Sequence, residues 1–339
     1  MVLSNTSKLI LAGDIGGTKT LLQVAEVEGN HVHVLGEQRF DSAAFPGLVP
    51  VVQTFLQTFS DSDIQPNAIQ SACFGVAGPI NGRQASLTNL PWKLDADAIA
   101  EACSLVHVTL INDFEAIGYG IAALQPEDFV VLQQGKPVAQ GMQVVLGAGT
   151  GFGVCFLAWC NDRYQVLPSE GGHMDFAPAD ESQAGLLHFL RQTLGHVSFE
   201  RIVSGPGLVA IYRFLREQTA ETESLELKRA IQSGEAAAAI AEFAVSGKDA
   251  VAASALDMFV RIYGAQAGNL ALAVLARGGV YVAGGIAPKI ISKMRGGGFM
   301  QAFLDKGRYR DMLSGLPVQV IMNEKVGLMG AALVASRLA

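Results

Sequence analysis

The stretch LILAGDIGGTKTLLQVAEV, residues 9–27, decides how the rest of the chain is read. An apolar run ends at Asp14 and Ile15. Gly16-Gly17, Thr18 and Lys19 follow, and then apolar residues resume. Two segments that read as buried strands are thus joined by a turn carrying an acid, a hydroxyl and a cation. Glycine lets backbone approach a ligand closely. Successive N–H groups in such a turn form a concavity suited to phosphate oxygens. Asp14 would repel a bare phosphate. It fits if Mg2+ lies between them, held by Asp14 through water and by phosphate oxygens directly. The competing reading is a tight hairpin whose Asp14 only caps the turn. Neither the G-x-x-x-x-G-K-[ST] loop nor the G-x-G-x-x-G fingerprint occurs in this stretch.

A second stretch repeats the logic. GAGTGFG, residues 147–153, sets Thr150 among Gly147, Gly149, Gly151 and Gly153, inside the hairpin-like MQVVLGAGTGFGVCFLAW. AGGI, residues 283–286, offers Gly284-Gly285 as a small-residue wall on which a purine could lie flat. Around these tips, strand-like and helix-like segments alternate. KLILAGDI, TLLQVAEV and HVHVLGEQRF read as an antiparallel meander with EGNH as one turn. GLVPVVQTFLQTF has helical spacing, and LDADAIAEACS is a helix between the strands AIQSACFGVAG and LVHVTLIND. GGVYVAGGIAP reads as a late buried strand, and GLMGAALVASRLA as a closing amphipathic helix. The duplicated strand-turn-strand units imply two α/β halves, each presenting a glycine tip to a shared cleft. The break is expected near Asn112-Asp113, where a strand gives way to a helix.

Composition narrows the classes. The 339 residues suffice for more than one domain. Lys+Arg 24 against Asp+Glu 31 gives a net charge of −7, which argues against a nucleic-acid footprint. Cys73, Cys103, Cys155 and Cys160 have no C-x-x-C spacing and read as reduced core thiols. KLILA is too short for a signal-peptide core, and Arg277-Gly278-Gly279 splits the apolar run at 268–287 into a helix and a strand. A cytoplasmic protein that engages no membrane is expected.

Three places carry side chains able to do chemistry. LINDFEA puts Asn112 and Asp113 where a strand meets a helix. Asp113 there is either an N-cap or a general base that takes a proton from a sugar hydroxyl attacking phosphorus. PSEGGHMDF places Glu170 and His173 around a Gly-Gly turn, where both could converge on one polyol. A zinc site is the competing idea there, with no cysteine cluster to serve it. GHVSFERIVSGPG puts Glu200 just inside a helix-like segment, where a first-turn acid favoured by the helix dipole is the simpler reading.

In order, the segments GDIGGT, GVAGPI, TNLPW, INDFEA, GAGTGFG, SEGGHMDF, GHVSFERIVSGPGL, GNLAL and AGGIAP resemble the bacterial-type glucokinases of the hexokinase and actin-like ATPase superfamily. The resemblance runs from about residue 10 to residue 330. It implies an α/β fold of two ribonuclease-H-like (actin-like ATPase) domains flanking a cleft. Residues 1–112 with 323–339 would form the small domain, its C-terminal helix returning to it, and 113–322 the large one. It further implies ATP, Mg2+ and glucose as ligands, closure of the domains on the sugar, and a homodimer. Gly13, Asp14, Ile15, Gly16, Gly17 and Thr18 match the first phosphate loop; Gly147, Gly149, Thr150 and Gly151 match the second. Gly284 and Gly285 match the adenosine segment. Asp113 matches the catalytic base, and Asn112 its sugar-binding neighbour. Glu170, His173 and Glu200 match the sugar-hydroxyl ligands, and Gly78 and Asn89 border the sugar.

The chain departs from this pattern at Lys19, where the family often has Asn, and at Ser169, where Gly is frequent. The Lys19 cation leaves open a wider choice of phosphoryl donor. The alternatives are a kinase for another hexose or with polyphosphate as donor, and a non-catalytic sugar sensor. A sensor needs no base at Asp113. The cysteine-rich zinc motif of the broader repressor-and-kinase sugar family does not occur in the sequence, and no helix-turn-helix fits before residue 9.

Overall fold

A computed structural model describes residues 7–59, 66–87, 90–219 and 223–338. Lys8–Ile15 (β1), Lys19–Glu28 (β2) and His31–Asp41 (β3) form an antiparallel meander in which β1 and β2 are buried through their centres and β3 is largely open. Helix Leu48–Gln57 (α1) buries Leu48, Val51, Val52 and Phe55, the i, i+3, i+4, i+7 stripe of an amphipathic helix. Ser71–Val76 (β4) is buried along its whole length, as a parallel strand covered on both faces must be. Ile80–Asn81 (β5), Gln84–Ser86 (β6) and Lys93–Asp95 (β7) make a small antiparallel sheet that the sequence pattern did not suggest. Asp95 caps Ala96–Cys103 (α2) by accepting from the N–H groups of Asp97 and Ala98. His107–Asn112 (β8) then leads into Asp113–Gly120 (α3).

The chain continues through Phe129–Gln133 (β9), Gln143–Ala148 (β10), Phe152–Cys160 (β11) and Arg163–Ser169 (β12). Five helices follow: Glu181–Leu194 (α4), Gly205–Glu217 (α5), Leu225–Gln232 (α6), Ala236–Val245 (α7) and Ala250–Ala273 (α8). Gly279–Ala283 (β13), Ile291–Arg295 (α9), Gly298–Leu304 (α10), Arg310–Ser314 (α11) and Val318–Ile321 (β14) precede the closing helix Val326–Leu338 (α12). Among the described residues no helix is long and apolar enough to cross a membrane.

The two large sheets share one plan. Their orders are β3-β2-β1-β4-β8 and β12-β11-β10-β13-β14-β9. In each, a three-stranded antiparallel meander is extended by two parallel strands, and the second sheet adds β9 as an antiparallel edge. The duplication read from the two glycine-tipped hairpins therefore extends to the whole topology of each sheet.

Compactness divides the described residues into one unit up to Pro126 together with those from Asn323 onward, and a second from Glu127 to Met322. The boundary lies beyond the expected break at Asn112-Asp113, because α3 belongs with α12. A Cβ on Gly330 would sit 1.8 Å from the Ala116 carbonyl oxygen, and one on Gly120 would sit 1.9 Å from that of Val326. The helices meet backbone to backbone, which holds α3 in the first unit.

In that unit the strand alternation sorts the core into two layers. Leu11, Ile15, Phe74 and Val76 pack towards α1, while Ile10, Ala12, Cys73 and Ile111 pack with Ala116 of α3 and Leu328, Ala331 and Ala335 of α12. In the second unit α8 is buried on most of its circumference against the sheet and its neighbouring helices. Cys73 and Cys155 are buried and Cys103 is half-buried, and none of them forms a disulfide. Cys160 is the exception to the expected core placement: it ends β11 in the open, where the hairpin leaves the core.

The helix contact gives a stability prediction. Gly330→Ala drives a methyl into the Ala116 carbonyl and is expected to lower the unfolding free energy by about 2–3 kcal/mol. Gly327→Ala, whose Cβ would meet only Ile117 Cγ1 at 3.6 Å, is expected to change it by less than about 1 kcal/mol. Urea denaturation of the two variants measures the difference.

Candidate active site

In the first unit the parallel strands set the site. Their register pairs Asp14 of β1 with Gly75 of β4, and Val76 of β4 with Asn112 of β8. Asp14 and Asp113 thus emerge on either side of Gly75, which has no side chain to fill the space. A Cβ there would lie 3.1 Å from Ala116 Cβ and 3.8 Å from Asp113 Cα. Burial raises the Asp113 pKa to about 6, and the Asp14 charge adds to the rise; hydrogen bonds from the Phe114 and Asp113 N–H groups and from the Asn112 side chain oppose it. Asp14 is raised by burial and drawn back by the Lys19 charge.

The cap at the β8–α3 junction is Asn112, not Asp113. Asn112 Oδ1 accepts from the Phe114 N–H at 2.9 Å, and Glu115 accepts from the Asn112 N–H in return, closing a capping box. Asp113 is the first helical residue and shares that Phe114 N–H, at 2.9 Å from its Oδ1. Asn112 is therefore engaged in the helix start and in holding Asp113.

The first glycine tip is pinned from below. The Gly16 N–H donates to the Lys19 carbonyl at 2.9 Å, and the buried Ser42 hydroxyl donates to the Gly16 carbonyl at 2.9 Å. Ser42 Oγ also lies 3.0 Å from the buried Thr20 hydroxyl, and its N–H donates to Thr18 O. Thr18 and Lys19 are exposed at the tip. Ser42 carried no signal in the sequence, since only the β2–β3 pairing brings it there. Gly13 and Ile15 lie inside β1: Ile15 is fully buried, and a Cβ on Gly13 would strike Phe74 and Leu22. Both are packing residues in the strand that delivers Asp14. A Cβ on Gly78 would stand 2.1 Å from the Ser86 carbonyl oxygen, so this glycine admits the β6 backbone. Asn89 lies outside the described residues.

In the second unit Gly147 pairs with Gly153 and Ala148 with Phe152, leaving Gly149, Thr150 and Gly151 as the tip. The tip is held by the start of α5, where the Gly205 N–H donates to Gly149 O at 2.9 Å. Gly284, at φ +83°, closes against Ala148 at the end of β13, where a Cβ would be 2.5 Å from Ala148 O. Gly285 is exposed beside it.

Glu200 lies outside any helix, correcting the expectation of a helix-like segment. Ser204 caps α5 by accepting from Gly207 N–H, so the helix begins five residues later and Glu200 sits in the turn before it. Its Oε2 accepts from the Phe152 N–H at 3.0 Å, directly beneath the glycine tip. Its Oε1 lies 3.9 Å from His173 Nδ1, while His173 Nε2 lies 3.8 Å from Glu170 Oε2. The three candidate sugar ligands thus converge. Glu200 is the inner member with its side chain 28% exposed, and Glu170 the outer one at 85%. Ser169 helps shape this turn, its Oγ accepting from the Gly171 N–H at 3.0 Å. Among the described residues no group of three or more His, Cys, Asp or Glu side chains could hold a metal ion.

A family model described as Glucokinase matches residues 11–338. The chain belongs to the glucokinase family. It is 46% identical to a glucokinase of a Nostoc species, covering 97% of this chain and 99% of the relative. Among solved structures it is similar to a glucokinase from an Antarctic psychrotroph, with 32% identity, a TM-score of 0.83 and coverage of 97% and 99%. It shares its fold with a Streptomyces griseus ROK family glucokinase in complex with glucose and AMPPNP, at 20% identity, a TM-score of 0.65 and coverage of 97% and 99%. The glucokinase match includes every candidate site residue from Gly13 to Gly285.

Placing a charged Asp113 beside Asp14 in a buried setting costs folding energy. Its folded pKa of about 6 lies above the ordinary 3.8, so the penalty grows as pH rises from about 4 to 6 and is full above that. Asp113→Asn is expected to raise the unfolding free energy by about 2 kcal/mol at pH 8, and the gain is expected to vanish below pH 4. Urea denaturation across that pH range measures it.

Proposed function

We propose that this chain is an ATP:D-glucose 6-phosphotransferase, with Asp113 as the general base. The observation that carries the mechanism is the Asp113 carboxylate, whose pKa of about 6 leaves it ionised at neutral pH yet basic enough to take a proton. In the step we infer, Asp113 accepts the proton of the glucose 6-hydroxyl as that oxygen bonds to the γ-phosphorus. The bond from phosphorus to the bridging oxygen breaks, and its electron pair leaves with ADP.

The sugar is neutral and rich in hydroxyls, and the Glu170–His173–Glu200 cluster suits it. Each carboxylate accepts from adjacent hydroxyls, and a site built for those bonds rejects sugars that leave its groups unpaired. The glycine tips supply backbone N–H groups, and Thr18 and Thr150 supply hydroxyls, for the phosphates. Two carboxylates facing each other across Gly75 form an oxygen-rich acidic pair that suits a divalent cation. Asp14 would hold Mg2+ through water, and the ion would supply charge neutralisation to the phosphates. Glucose and AMPPNP in the Streptomyces griseus structure support the choice of ligands.

The shared plan of the two sheets supports the finer reading that the units are the ribonuclease-H-like domains of an actin-like ATPase fold flanking a cleft. A cytoplasmic homodimer belongs to the same proposal.

The test is initial-rate phosphorylation of glucose with Mg-ATP, followed through a coupled dehydrogenase. Fructose, mannose, N-acetylglucosamine and polyphosphate serve as the competing substrates. Turnover with ATP and glucose is expected, with kcat/KM falling tenfold per pH unit below about pH 6, because protonation removes the base. Preference for polyphosphate or another hexose overturns the substrate assignment. Asp113→Ala is expected to lower kcat by about 1,000-fold while calorimetry still detects glucose. Near-normal turnover removes Asp113 from the role. Glu170→Gln is expected to raise KM for glucose more than KM for ATP, and equal rises would remove Glu170 from the sugar's contacts.

A further inference from the structure

Tyr263 is an unexpected polar group in the middle of α8. It is fully buried, and its ring is wrapped by Phe152, Phe259 and Phe299 in edge-to-face contacts at centroid distances of 5.7, 6.0 and 5.6 Å. Its hydroxyl is nonetheless saturated. It accepts from the Ala148 N–H at 3.1 Å and donates to the Ala283 carbonyl at 3.4 Å.

These partners are the last residues of two neighbouring parallel strands. The β10–β13 ladder runs from Gln143↔Gly279 to Gly147↔Ala283 and then stops. At the next step the Tyr263 hydroxyl lies between the strands, relaying a hydrogen bond from Ala148 to Ala283. Directly beyond it, β10 becomes the tip Gly149–Gly151 and β13 becomes Gly284-Gly285. The Ala148 carbonyl is held separately by the Ile286 N–H at 3.2 Å. One residue at the base of the phosphate tip, Ala148, is therefore gripped at its N–H by Tyr263 and at its C=O by the segment that follows β13.

We propose that the Tyr263 hydroxyl is a positioning group for the nucleotide: it sets the spacing between the two glycine segments that receive the phosphates and the adenosine of ATP. The inference rests on the reading of those segments given under Proposed function. The physical argument is that removing the oxygen leaves a buried donor and a buried acceptor facing each other. They either remain unpaired or draw together into a direct bond. Drawing together moves Gly149–Gly151 relative to Gly284-Gly285, and remaining unpaired removes the bonds that fix their spacing. Glu200 meets the tip at its other end, through the Phe152 N–H, and makes no hydrogen bond to Tyr263, so the sugar cluster is disturbed less than the spacing of the glycine segments.

Tyr263→Phe keeps the ring and its aromatic contacts and removes only the relay. The expected result is a three- to tenfold rise in KM for Mg-ATP, and a matching loss of ADP affinity by calorimetry, with KM for glucose within twofold of wild type. Phe299→Leu controls for packing: it removes an aromatic neighbour without touching the hydroxyl, and is expected to lower the thermal midpoint with both KM values unchanged. Unchanged nucleotide constants in Tyr263→Phe, or equal rises in both KM values, overturn the positioning role. If the wild-type protein turns over glucose with another donor and binds neither ATP nor ADP, the reading of the glycine segments fails and this inference falls with it.

Discussion

Parallel pairing of β1, β4 and β8 is the constraint on which the chemistry of the first unit depends. Hydrogen-bonded register leaves no freedom in which residues stand side by side at the strand ends. It sets Asp14 beside Gly75, and Gly75 beside Ile111, just before Asn112-Asp113 at the end of β8. Gly75 puts no side chain between Asp14 and Asp113, and burial together with the Asp14 charge lifts Asp113 into the range useful to a base at neutral pH. The same arrangement is unfavourable for folding, so the surrounding layers must hold it. The tight seat of α12 on α3 and the apolar layer of Ile10, Ala12, Cys73 and Ile111 do so.

The second unit repeats the sheet plan with a different kind of strand end. Here the hairpin β10–β11 ends in glycines, and side chains from elsewhere fasten it. Glu200 takes up the Phe152 N–H on one side, Gly205 donates to Gly149 on another, and Tyr263 bridges to β13. Glu200 has two neighbours at once: one carboxylate oxygen faces the glycine tip and the other faces His173. A ligand that draws on Glu200 from the His173 side therefore acts on the residue that supports the tip. That physical link between the Glu200–His173 cluster and the glycine tip lies within a single unit.

Much of this was legible along the chain because the signals are local. The β1–β2–β3 meander, α1, α2, β10–β11 and α12 follow from apolar periodicity and turn residues, which each segment carries by itself. The small sheet β5–β7 escaped because its strands of two and three residues are too short to show a period. Glu200 was placed in a helix because SFERIV has helical spacing, and the stronger start signal, Ser204 with Pro206 behind it, lies just beyond. A strand-to-helix junction near residue 112 reads the same in sequence whether the helix leaves the unit or, as α3 does, packs back onto it.

The sequence by itself determined the sheet strands, the two glycine tips and the acids, amide and imidazole that stand near them, since residue type and spacing carry that information directly. Only the tertiary structure decided which of these groups meet. It set Asp14 and Asp113 on either side of Gly75, gave the cap to Asn112 and left Asp113 a half-buried acid under the influence of the Asp14 charge, and drew Glu200 out of a helix to lie under Phe152. It also gave work to residues the chain does not advertise, Ser42 beneath Gly16 and Tyr263 between Ala148 and Ala283. The reason is physical: register, close backbone approach and burial arise from contacts between residues far apart in the chain, and the pKa and hydrogen bonding of a group are properties of those contacts.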